Sequence, residues 1–215
     1  METNSSRRNR NTEKKIKLRI EVPPEPAVPG LQGSISAAGK RFAIVVSRFN
    51  AFITERLLLS ACDGLLRSGA RKKDIAVVRV PGAFEIPLAA RTLAETNKYD
   101  AIICIGCLLR GDTAHYDVIV NECTRGIGQS AQETGVPHAF GVLTCDTLEQ
   151  AIDRAGLKMG NKGFEAALAA VEMANLKTAI SHQPSAVRKT GLRSQVSGVR
   201  KSKLRSTSPQ RKRRS

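Results

Sequence analysis

The sequence predicts an α/β fold: a three-layer sandwich around a mostly parallel four-stranded sheet, flanked by disordered basic termini. Three observations lead there. Four short apolar runs alternate with longer segments of helical periodicity between residues 41 and 180, an order that lays helices over both faces of a parallel sheet. The third run, residues 101–107, is apolar throughout, as a strand covered on both faces must be. Apolar residues make up 41% of the chain but aromatics only 4%, with no Trp, so the core has to be aliphatic.

Residues 1–32 hold Pro23, Pro24, Pro26, Pro29 and Gly30. Prolines at that density sustain neither a helix nor a central strand, and this stretch is expected to be a disordered arm. The first strand is residues 41–47. Residues 52–68 form a helix with Leu58, Cys62, Leu65 and Leu66 at helical spacing, ended by Gly69. The second strand, residues 75–80, stops at Pro81-Gly82. A helix follows over residues 84–97, with Pro87 tolerable in its first turn. After the third strand come a helix over residues 116–134, a fourth strand over 139–144 and a short helix over 148–155. A turn at Gly160-Asn161-Lys162-Gly163 leads into an Ala-rich helix over 164–180. The plan is flavodoxin-like, one domain over residues 33–180. Residues 181–215 are rich in Ser, Arg and Lys without apolar periodicity, the mark of a disordered tail.

The net charge of +16 resides mainly at the ends. Residues 1–30 carry seven basic and four acidic side chains, and residues 181–215 eleven basic and none acidic, while the domain between is near neutral. The overall charge therefore says little about the domain's chemistry. No run of eighteen apolar residues exists, so no membrane span is expected. The opening residues lack the apolar centre of a secretory signal; Arg7, Arg8 and Arg10 hint at a transit peptide, and Glu2, Glu13, Glu21 and Glu25 argue against one. The expected location is cytoplasmic. Five cysteines, an odd number, read as free thiols. Cys104-Ile105-Gly106-Cys107 matches a redox spacing, but on a strand positions i and i+3 point to opposite faces.

Ligands of open α/β sheets bind at the carboxyl ends of the strands, and three loops fall there. Gly111-Asp112-Thr113 follows strand three and precedes a helix. Its amides and the helix dipole suit an anion, with the Thr113 hydroxyl either adding a donor or capping the helix. The bland alternative is an ordinary capped turn. His115 begins that helix, where the dipole favours an uncharged ring able to accept a proton. Pro81-Gly82-Ala83-Phe84-Glu85 follows strand two, either as a pair of N–H donors or as a plain helix entry. Arg48-Phe49-Asn50 follows strand one, and Phe49 offers a flat face for a heterocycle unless it seals the core. Arg154 and Lys162 flank the last loop as solvated charges or anion ligands. No G-x-G-x-x-G, Walker lysine loop or zinc spacing occurs, so neither a nucleotide cofactor nor a metal is indicated.

Ser47-Arg48-Phe49-Asn50, Pro81 through Pro87, Gly106 through Tyr116, and Arg154-Ala155-Gly156 with Gly160-Asn161-Lys162-Gly163 together resemble the 6,7-dimethyl-8-ribityllumazine synthases in order and spacing. The resemblance covers about residues 33 to 178. It implies a transferase of riboflavin biosynthesis that condenses 5-amino-6-ribitylaminouracil with 3,4-dihydroxy-2-butanone 4-phosphate, releasing phosphate and water without a cofactor. It implies His115 as the proton-transfer residue. Phe49, Asn50, Ala83, Phe84, Glu85, Cys107, Leu108, Leu109, Phe140 and Lys162 would contact the pyrimidine and its ribityl chain. Gly111, Asp112, Thr113 and Arg154 would hold the phosphate. It further implies homopentamers or sixty-subunit icosahedral shells with sites between adjacent subunits, Phe140, Arg154 and Lys162 coming from the second chain, and riboflavin synthase as a partner. The sequence departs from the family pattern at Cys107, where Thr is common, and in its basic tails. Two other readings stand beside this one: weak nucleic-acid binding by the C-terminal tail, which lacks interleaved aromatics, and a catalytically silent scaffold shell.

Overall fold

The computed structural model describes residues 30–182. The arm expected over 1–32 therefore lies mostly outside the described residues, and the tail expected over 181–215 almost wholly so. Four strands, β1 (Phe42–Ser47), β2 (Ile75–Val80), β3 (Ala101–Leu109) and β4 (His138–Cys145), form one parallel sheet in the order β2-β1-β3-β4. The helices are α1 (Ala51–Arg67), α2 (Ile86–Glu95), α3 (His115–Thr134), α4 (Leu148–Arg154) and α5 (Lys162–Ser181). Helices α1, α4 and α5 cover one face and α2 and α3 the other, the three-layer sandwich that the alternating pattern predicts.

Strand alternation divides the core cleanly. Phe42, Ile44 and Val46 of β1 and Ile103, Ile105 and Cys107 of β3 pack towards α1 and α5. Ala43, Val45, Ile102 and Cys104 pack towards α2 and α3. Cys104 and Cys107 thus lie on opposite sides of the sheet, as a period of two requires, and all five cysteines are free. Where α1 crosses α5 the backbones nearly touch. A Cβ on Gly163 would fall 2.0 Å from the Leu57 carbonyl oxygen, and one on Gly64 would fall 3.1 Å from Ala167 Cβ.

Four boundaries and faces differ from expectation. β3 runs two residues further, to Leu109, because β4 pairs with it that far: Leu108 sits opposite Thr144 and Leu109 opposite Cys145. The second helix is broken in two, a 3-10 turn over Ala83–Glu85 and then α2, with Pro87 inside the first turn. The last helix starts at Lys162, since the Asn161 side chain accepts from the amides of Gly163 and Phe164 and caps it early. In α1 the buried stripe is Ile53, Leu57, Leu58, Ala61 and Leu65. Leu66 is exposed and Cys62 only half-buried, because the close approach of α5 centres the contact one residue earlier.

Candidate active site at the carboxyl edge of the sheet

The chain crosses from β1 to one side of the sheet to make β2, then passes over to the other side to make β3. The loops leaving β1 and β3 therefore diverge, and a crevice opens between them. A cavity of about 450 Å³ occupies it, lined by Phe49, Asn50, Gly82, Ala83, Phe84, Glu85, Cys107, Leu108, Leu109, His115 and Ile119. Its size suits a small organic ligand.

Each wall has a local cause. Beyond β1 the chain keeps pairing with the segment after β2: the Arg48 amide donates to the Val80 carbonyl at 2.9 Å and the Phe49 amide to the Pro81 carbonyl at 3.1 Å. Asn50 then turns the chain into α1 with a left-handed backbone, φ 56° and ψ 43°, a region Asn tolerates better than most residues. Its Nδ2 donates to the Cys107 carbonyl at 2.8 Å, tying the loop to β3. The Phe49 ring lies against Gly82, where a Cβ would come within 3.0 Å of Phe49 Cδ2. The ring is 70% exposed, so it offers a face to a ligand and does not seal the core. The Gly82 amide donates to Glu85 Oε2 at 2.8 Å, which fixes that carboxylate at the entry to α2. Burial pushes the Cys107 thiol up to about 12, so it remains a neutral apolar wall.

On the far wall, residues 111–114 bridge β3 to α3 and are exposed. A side chain on Gly111 would meet nothing within 4 Å; nothing in the chain's own packing demands glycine there. The helix is capped at Ala114 with no side-chain bond, so Thr113 does not cap it and the first amides keep no side-chain acceptor. His115 is exposed and borders the cavity, with Ile119 one turn further on the same face.

Three of the expected residues lie elsewhere. Phe140 is half-buried on β4 towards α2 and α3. Arg154 and Lys162 meet at the corner between α4 and α5, both paired with Glu165. Arg154 Nη2 lies 3.0 and 2.9 Å from its two carboxylate oxygens, and Lys162 Nζ lies 3.4 Å from Oε2. Arg154 Nη1 also donates to the Met159 carbonyl at 2.7 Å. None of the three lines the cavity of its own chain. Gly82 lines it within the candidate loop after β2, and Ile119 lines it although the sequence does not mark it as a site residue. Ile119 stands at i+4 from His115, a helical spacing that marks it in hindsight.

A second cavity of about 430 Å³ lies at the opposite edge, walled by Val136, Pro137, His138, Met173, Leu176 and Ile180 among others. Its one imidazole is already bonded on both nitrogens, to Ser130 Oγ at 2.9 Å and the Val136 carbonyl at 2.8 Å. That leaves the ring no free nitrogen to offer a ligand. Among the described residues no set of three His, Cys, Asp or Glu is placed to hold a metal, and no helix is long and apolar enough to cross a membrane.

Residues 39–178 match the family model described as 6,7-dimethyl-8-ribityllumazine synthase. A protein of Desulfotalea psychrophila (strain LSv54 / DSM 12343) named 6,7-dimethyl-8-ribityllumazine synthase is 58% identical over 150 residues. The matched stretch covers 70% of this chain and 97% of that relative.

Proposed function

The chain belongs to the 6,7-dimethyl-8-ribityllumazine synthase family, and on that premise we propose how its site performs the family's step in riboflavin biosynthesis. It is a transferase that condenses 5-amino-6-ribitylaminouracil with 3,4-dihydroxy-2-butanone 4-phosphate to give 6,7-dimethyl-8-ribityllumazine, phosphate and water. The observation that carries this reading is the convergence of Phe49, Gly82 to Glu85, Cys107 to Leu109 and His115 on one cavity.

Phe49 stacks on the pyrimidine through its open face. Ala83, Phe84, Glu85 and Asn50 receive the ribityl chain, and Cys107, Leu108 and Leu109 wall the ring. Gly111, Asp112 and Thr113 present backbone amides to the phosphate beside the uncapped start of α3. The pyrimidine amine attacks the ketone carbonyl, and water leaves as the imine forms. A proton is then lost from carbon, phosphate departs by elimination, and the ribitylamino nitrogen closes the ring on the carbonyl that tautomerisation leaves, with loss of a second water. His115 takes and returns those protons. Amine and ketone condense readily once aligned, so positioning supplies most of the acceleration and proton transfer a smaller share.

Arg154, Lys162 and Phe140 reach a site only from a neighbouring copy of the chain. Two observations support that reading: the two cations sit together away from their own cavity, and Leu157 and Met159 beside them are exposed. Exposed Leu59 and Leu88 add apolar surface for contacts between copies. The proposed assembly is a homopentamer or a sixty-subunit shell in the cytoplasm, with riboflavin synthase as its partner. The eleven cations of residues 181–215 favour one added property, salt-sensitive RNA binding, tested by titration with and without that segment. The enzymatic reading is tested by mixing the purified protein with both substrates and following lumazine fluorescence; absence of product from folded protein overturns it.

A further inference from the structure

Resting on the reading of residues 111–113 as the phosphate loop, we propose that Arg110 is a positioning residue that holds this loop in its binding shape without touching the phosphate. The loop has little else to hold it. Residues 111–114 are exposed, and Gly111 has open space on its Cβ side. Arg110 stands at its first position and is tied at four points. Its amide donates to the Cys145 carbonyl at 2.9 Å, which extends the β3–β4 ladder by one step. Its guanidinium grips Asp117, in the first turn of α3, with a two-pronged pair at 3.2 and 3.1 Å. Nε donates to Asp146 Oδ1, in the loop after β4, at 2.8 Å. The carbon of the guanidinium lies 4.2 Å from the centroid of the Tyr116 ring.

The two ends of the loop are thus fastened together across the residues that lie between them. Arg110 fixes the strand end, Asp117 and Tyr116 fix the helix end, and Asp146 fastens both to the turn that leads into α4. All three charged groups are substantially exposed, so single pairs of this kind add little to stability. Their value is geometric: a planar fork sets both distance and angle between its partners. With both carboxylates neutralising it, the guanidinium is directed away from the cavity, which it does not line. A single Arg after a strand has no distinguishing pattern in the sequence; the clamp depends on residues 7 and 36 positions away.

The test compares Arg110→Ala, Arg110→Lys and Asp117→Asn with the unaltered protein, varying each substrate in turn. Arg110→Ala should raise KM for the phosphorylated ketone about tenfold, short of the roughly 100-fold loss that a misplacement of about 1 Å at the reacting groups can bring. KM for the pyrimidine should stay within about twofold and kcat within about threefold. Arg110→Lys should recover part of the loss, since it keeps the charge without the fork. Asp117→Asn should shift KM in the same direction as Arg110→Ala. If Asp117→Asn instead lowers that KM, Arg110 contacts phosphate directly and the proposal is overturned. It is equally overturned if the variants match the unaltered protein, or if both KM values rise together with a loss of cooperative unfolding. Should the unaltered protein make no lumazine, the function fails separately. The loop is then read by titration with inorganic phosphate: weakening in Arg110→Ala and Asp117→Asn upholds the clamp, and no binding or no weakening overturns it.

Discussion

Replacing Asn50 tests how the fold holds the cavity open. Two terms act at this residue. The bond from Nδ2 to the Cys107 carbonyl, 2.8 Å and partly buried, contributes about 0.5–1.5 kcal/mol. The left-handed backbone, φ 56° and ψ 43°, costs about 1–2 kcal/mol for a residue with a Cβ and no local polar compensation. Asn50→Ala loses the bond and bears the strain, so unfolding free energy should fall by about 2–3 kcal/mol. Asn50→Gly loses the same bond but adopts the backbone freely, at the expense of a looser unfolded chain, and should fall by about 1–2 kcal/mol. The gap of roughly 1 kcal/mol between the variants is the backbone strain less the extra chain entropy that glycine loses on folding. Denaturant unfolding measures both on a common slope. The same bond keeps the Phe49 loop against the strand that walls the cavity, so both variants should raise KM for the pyrimidine more than for the phosphorylated ketone. Equal stability for the Ala and Gly variants would refute the backbone argument. An Ala variant as stable as the unaltered protein would refute both terms.

Other perturbations separate the remaining roles. His115→Ala should slow turnover by about 10²–10⁴-fold at most, measured by single-turnover lumazine fluorescence; complete loss in a folded variant would show that His115 does more than move protons. Arg154→Ala should weaken the phosphorylated ketone far more than the pyrimidine in isothermal titration, and equal losses would remove Arg154 from the phosphate site. His138 supplies a pH dependence unrelated to catalysis. Burial lowers its proton affinity below the ordinary histidine value, with Nδ1 donating to the Val136 carbonyl and Nε2 accepting from Ser130 Oγ. The folded chain therefore binds fewer protons at this site than the unfolded chain. Its contribution is complete above the ordinary value of about 6.5 and is lost as pH falls towards the lowered one. Urea midpoints at pH 7.5 and 5 should drop more for the unaltered protein than for His138→Asn, and parallel drops would discount the residue.

Much of this molecule was legible from residue order because the relevant physics is local. The apolar runs of β1 and β3 announce strands covered on both faces. Gly69, with φ 99°, ends α1's segment where a left-handed turn is needed, and Pro87 marks a first helical turn. Those signals also assign the Phe49, Gly82 and Gly111 loops to one edge, since every β–turn–α step of a parallel sheet puts its turn there. Helix faces were less legible. The contact that decides which side of α1 is buried depends on Gly163 and Ala167, about a hundred residues away.

Residue order thus dictates the kinds of element, their succession and the edge at which the chemistry gathers, since periodicity and turn residues act over a few positions of chain. Only folding brings Ile119 into the cavity, sets Arg110 as a clamp on the loop beside it, and stands Arg154 and Lys162 apart at another corner. Those facts depend on the strand order β2-β1-β3-β4 and on which helices share a face. Local patterns carry no record of such distances, because packing between segments far apart in the chain sets them.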